Sequence, residues 1–128
     1  MKILDTLLGK KKTFKHNVLG VLTSERIKGN NQTKKYSWFG SVKINNNPAE
    51  TFIVAEGNNN TPSNKHLESI SEIVTHWQTK YLKLIDEEIK RLKINQKPKF
   101  ENWKNDFYLG QITPLDDNKP YFELTLEP

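Results

Sequence analysis

The chain has 128 residues, thirteen of them aromatic and none of them cysteine, with 20 Lys or Arg against 15 Asp or Glu and a net charge of +5. This length allows one core of ordinary size, burying roughly two-thirds of the unfolded surface without staples. The missing cysteine excludes disulfides, thiolate metal ligands and thiol nucleophiles, and it fits a reducing compartment.

Ile3, Leu4, Leu7 and Leu8 fall at i, i+1, i+4 and i+5, which predicts a short one-sided helix ended by Gly9. The opening MKILDTLLGKKK is not ordered like a secretory signal. Its apolar run is short, contains Asp5 and precedes its lysines. No stretch approaches the ~20 apolar residues of a transmembrane segment, and the expectation is a cytoplasmic chain. A basic connector, Lys10 to Lys15, comes next, and then a buried-looking strand, Val18 to Thr23, in which Gly20 marks a bulge or a close approach.

The stretch KKYSWFGSVKI, Lys34 to Ile44, alternates. Tyr36, Trp38, Gly40, Val42 and Ile44 fall on one side; Lys35, Ser37, Phe39, Ser41 and Lys43 fall on the other. The first set is uncharged and mostly apolar, so the segment reads as a half-buried strand with Trp38 in the core. Phe39 alone among its aromatic residues shares a face with lysines. NNNPAE is a turn, Thr51 to Glu56 the third strand, and Gly57 to Asn60 ends it.

A helix is predicted from Thr61–Ser63, capped by Thr61 with Pro62 at its first position, or by Ser63. Its stripe is Leu67, Ile70, Val74, Trp77, Tyr81, Ile85, Ile89 and Leu92. About 30 residues of helix reach roughly 45 Å, longer than the strands beneath. Its end must overhang, kink or meet a second chain. KFENWKN predicts a short helical turn, DFYLGQIT a fourth strand, PLDDNKP a tight connection and YFELTLE a fifth strand facing in with Phe122, Leu124 and Leu126. The expected fold is a two-layer α+β domain: a mainly antiparallel sheet of about five strands, order β-β-β-α-β-β, covered by one long helix and preceded by a short one. Residues 1–128 form a single domain in this reading, with 1–12 the short amphipathic helix and basic connector and 13–127 the α+β core.

No residue cluster announces a reaction. His16, His66 and His76 form no metal-binding pair at i, i+4 and no HExxH. Glu72 and His76 are neighbours at i, i+4, between Glu68 and Lys80, and read as a solvated helix side with an ion pair of roughly a few tenths of a kcal/mol. Asp86, Glu87 and Glu88 point in different directions and cannot converge on an ion. Asp116-Asp117-Asn118 lacks the rest of a calcium loop. No catalytic, cofactor-binding or metal-binding residue is assigned, and a non-enzymatic binding role is expected.

Charge is uneven. Residues 1–44 carry ten Lys or Arg against Asp5 and Glu25, net +8, whereas residues 45–128 carry ten against thirteen acids, net −3. The basic third suits an acidic protein, a nucleic acid or an anionic membrane. The residues expected to meet a protein partner are Lys35, Phe39 and Lys43 on the outer strand face, with Arg26 and Lys28 in the neighbouring loop. The alternative is a nucleic-acid-binding domain using the basic first third. The leucine helix followed by Lys10–Lys12 also has the make-up of a membrane-surface anchor, but docking onto the sheet or the long helix is the expectation.

Taken together, LLGKKK, HNVLGVL, WFGSV, FIVAEG, the Trp-bearing helix and WKNDFYLGQI followed by YFELTL resemble a group of small bacterial domains of unknown function. Several of these are similar to immunity proteins of polymorphic-toxin and contact-dependent-inhibition loci. The resemblance covers most of residues 13–127 and implies a protein that blocks a toxin by binding it. It carries over no catalytic residue. Many immunity proteins are acidic, so the +5 charge departs from the pattern. It would suit a toxin with an acidic surface, or contact through the acidic C-terminal two-thirds.

Overall fold

The computed structural model describes residues 3–31, 33–115 and 121–128. The chain runs α1 (Ile3–Leu8), β1 (Thr13–His16), β2 (Gly20–Ser24), β3 (Tyr36–Val42), β4 (Thr51–Gly57), α2 (Asn64–Thr75), a π-helical turn (Trp77–Tyr81), α3 (Leu82–Arg91), two 3₁₀ turns (Ile94–Gln96 and Pro98–Phe100), α4 (Trp103–Asp106), β5 (Tyr108–Pro114) and β6 (Phe122–Glu127). The connection expected over Pro114 to Pro120 lies largely outside the described residues.

The fold is α+β, with the strands in chain order across one sheet. Neighbours pair antiparallel except β4 and β5, which are parallel in the register Phe52↔Gln111 and Ile53↔Ile112. A parallel pair needs a crossover, and the helical segment supplies it. Six strands form where five were expected. The extra one is β1, which overlaps the stretch read as a connector. The lysines that precede it, and Lys15 within it, hide a strand because it lies at the sheet edge, where lysines are tolerated, while Phe14 packs on the core. The strand after it starts later than expected. Asn17 to Leu19 form a turn, held by His16 Nδ1 accepting from the amides of Val18 and Leu19, both at 3.1 Å.

One sheet face is covered. Trp38, Leu22, Ile53, Ala55, Leu109 and Ile112 are buried with Leu67, Ile70, Ile73 and Trp77 of the helical layer. The Trp38 indole N–H donates to the Asn58 carbonyl at 3.2 Å, so the buried ring keeps no unpaired donor. The α2 cap is Ser63, whose Oγ accepts from the His66 amide.

The predicted continuous helix is interrupted. His76 leaves helical geometry at φ −109°, ψ 21°, and the Tyr81 amide reaches back five residues to the His76 carbonyl at 3.2 Å. The stripe explains this. Trp77, Tyr81, Ile85 and Ile89 are spaced by fours, and each such step drifts about 40° round an ideal α-helix. A wider π turn takes up the excess residue. Beyond it α3 overhangs the sheet, and no residue of α3 is fully buried. The chain folds back over it, and Trp103 of α4, itself buried, donates to Asp86 at 3.2 Å.

Three apolar residues of the leucine helix do not dock on the sheet or the long helix as expected. Ile3, Leu7 and Leu8 stand 74%, 58% and 56% exposed. Backbone bonds fasten the base of α1: Lys10 and Ile27 exchange amide–carbonyl bonds of 2.9 and 2.8 Å. Gly9, at φ +90°, lies so close that a Cβ would be 2.2 Å from the Ile27 oxygen.

Candidate functional site

Among the described residues, no helix packs on the sheet face opposite the helical layer. Cross-strand partners share a face, so the register lays it out. Thr13, Thr23, Phe39 and Val54 form one row, and Ser41, Phe52, Gln111 and Thr125 another. The diagonal neighbours Phe39 and Phe52 stack, with ring centroids 6.0 Å apart and planes 14° from parallel. Phe52 is 39% exposed, Phe39 half-buried, and Val54 sits beneath them at 9%. Val21, paired with Lys15, extends the apolar strip toward the β1 edge and is 56% exposed.

Charge on this face is mixed: Glu25, which accepts from the Ser37 amide at 3.4 Å, shares the β2–β3 side with the lysines. Lys15 lies on β1, and Lys35 stands exposed just before β3. Glu56 accepts from Ser37 Oγ at 3.1 Å on β4, and Glu123 and Glu127 lie on β6. Glu127 is held in place: its carboxylate accepts from Tyr108 Oη at 3.2 Å and Gln111 Nε2 at 3.4 Å. The side chain crosses Gly110, where a Cβ would come within 2.3 Å of it. Burial, reinforced by this carboxylate, pushes the Tyr108 hydroxyl up from its ordinary pKa.

The five residues expected to meet a partner do not form one patch. Phe39 is on the open face, and Lys35 borders it. Lys43 folds its ammonium onto the Asn47 carbonyl and lines a groove with Trp77 and Gln78 on the helical side. Arg26 Nη1 donates to the Gly9 carbonyl at 2.8 Å and Lys28 Nζ to that of Leu7 at 3.0 Å. Cations there complement the C-terminal end of α1. Lys12 is also engaged, donating to the Asn59 carbonyl at 2.7 Å. Part of the basic third thus holds the chain's own loops.

Phe52 has no counterpart among the residues the sequence singled out. Thr51 to Ala55 is nearly apolar on both sides, so alternation is silent there; the pairing of Phe52 with Ser41 is what places it. On the helical side, Glu72 and His76 serve separate ends. Glu72 pairs with Lys80 at 3.2 Å, while His76 caps α2. A groove of about 680 Å³ runs between α2 and β6, with Ile73, Phe122 and Leu124 in its wall and Glu68 and Glu72 on its rim. Among the described residues, no three His, Asp or Glu side chains come together as metal ligands. No family model, curated protein or solved structure matches this chain.

Proposed function

We propose that this chain is a non-enzymatic binding domain whose open sheet face docks on another protein, and that it acts as an immunity protein by covering a bacterial toxin. The observation that carries the reading is the Phe39–Phe52 stack, exposed at the centre of a face with no helix over it. Paired aromatics in such a position make binding anchors. Six strands of up to seven residues present roughly 600 Å², close to the ~800 Å² each partner buries in a standard complex. The toxin-blocking form rests on the strand and helix pattern that resembles immunity domains.

The charge layout favours a protein over a nucleic acid. Lys15 and Lys35 flank the aromatic pair on one side with Glu25 among them, and Glu56, Glu123 and Glu127 occupy the other; these carboxylates would repel a phosphate backbone laid across the sheet. A protein of complementary pattern meets both halves.

The test is whether a gene adjacent to this one encodes a secreted toxin and, where it does, a titration of that product against this chain, with affinity read by calorimetry. Replacing Phe39 and Phe52 together by Ala should weaken the complex by about thirtyfold or more. Lys35→Glu should chiefly slow association and change its salt dependence. An unchanged affinity in the double-alanine variant would remove the face from the interface. Tight retention on a single-stranded polynucleotide, falling steeply with salt, would put the nucleic-acid reading in its place.

A further inference from the structure

We propose that the exposed tip of α1 docks reversibly on an anionic lipid surface, with Ile3, Leu7 and Leu8 entering the interface and Lys10, Lys11 and Lys28 meeting the headgroups. This surface is separate from the open sheet face. Three large apolar side chains on six residues of helix lie more than half exposed. Isolated exposed leucines are ordinary, but a contiguous cluster marks a contact surface.

The tip is fastened at its base. The Lys10–Ile27 exchange, the close seat of Gly9 on Ile27, and the Arg26 and Lys28 bonds to the Gly9 and Leu7 carbonyls attach the base of α1 to the body. A segment already ordered loses less freedom on binding. These same bonds gather cations at the apolar cluster. Lys28 Nζ lies 3.0 Å from the Leu7 oxygen, and Lys10 and Lys11 are exposed within four residues of it. A carbonyl partner leaves an ammonium its full charge.

An apolar tip with cations at its C-terminal end matches a negatively charged bilayer surface, where each lysine adds attraction within a Debye length. Such a short insertion is weak alone and depends on its basic neighbours. The contact is therefore reversible and salt-sensitive. Among the described residues no helix is long and apolar enough to cross a membrane, so the chain would rest on the surface.

The experiment is sedimentation of the full chain with vesicles of phosphatidylcholine alone, or with about one-third phosphatidylglycerol, at low salt. The chain should pellet with the anionic vesicles only and be released near 1 M salt, where screening reaches about 3 Å. Leu7→Glu with Leu8→Glu should abolish pelleting. Lys10→Ala with Lys11→Ala should weaken it about thirtyfold. All four positions are exposed, so unchanged thermal unfolding serves as the check on folding. A wild-type chain left in the supernatant overturns the proposal and assigns the leucine tip to a protein contact. Undiminished pelleting of the leucine variant overturns it equally.

Discussion

Asp86 shows how one side chain acquires a role its neighbours lack. Consecutive helical carboxylates diverge, and here Asp86 turns toward Lys90 at 3.0 Å, Lys104 at 3.1 Å and the Trp103 indole, while Glu88 pairs with Arg91. The Lys90 ammonium foremost, then Lys104 and the indole N–H, holds the carboxyl below its ordinary value of 3.8 against partial desolvation. A carboxyl more acidic in the folded than in the unfolded chain contributes stability above the unfolded value and loses it as pH falls through the folded one. The Asp86 contribution should therefore be constant from about pH 7 to 5 and decline below about 4. Thermal melts across that range should show a shallower acid decline in Asp86→Asn; parallel curves would assign the acid sensitivity elsewhere. At this same scale the alternation from Tyr36 to Ile44 was legible: it sends Trp38 inward and Phe39 outward, as the structure does. The engagement of Arg26 and Lys28 with α1 was not, because a lysine's or arginine's carbonyl partner seventeen or more residues away leaves no local pattern.

Elements carry their own phase. The stripe after Leu67 reads as one face of a continuous helix, but its four-residue steps after Trp77 drift round an ideal α-helix, and the π turn takes up that drift. The Ser63 cap was one of the two predicted. What the stripe does not tell is how deeply each half is buried. α2 buries His66, Leu67, Ile70 and Ile73, whereas α3 buries no residue fully. Segments with few buried contacts open locally. Amides of α3 should exchange at least about tenfold faster than those of β3 and β4 in a hydrogen-exchange measurement. Equal protection across both would mean that α3 opens only with the whole molecule. Ser63→Ala should cost about 1 kcal/mol in a urea titration, with an unchanged slope, through the lost cap.

The whole molecule covers its two sheet faces unequally, and β4 shows both in adjacent residues. Ile53 is fully buried beneath the helical layer; Phe52 is 39% exposed on the other side. Ile53→Ala should destabilise by about 2–5 kcal/mol. Phe52→Ala should remain within about 1 kcal/mol of the parent in stability and lose affinity for the partner. Denaturant titrations paired with binding measurements separate the two. A large stability loss from Phe52→Ala would make the aromatic stack a second small core and leave binding to other residues.

Residue types and their local spacing determined a good deal alone: the absence of thiol chemistry, the α+β class, the inner and outer sides of the Trp38 strand, and the start of the helix at its cap. Each follows from the chemistry of neighbours a few positions apart. Tertiary structure alone decided the parallel joining of β4 to β5, the meeting of Phe39 with Phe52, the use of Arg26 and Lys28 as fastenings for α1, and the outward turn of Leu7 and Leu8. These depend on which distant strands come into register and which surfaces remain after the core has closed. Local periodicity is the same for every such arrangement, so only the assembled fold distinguishes among them.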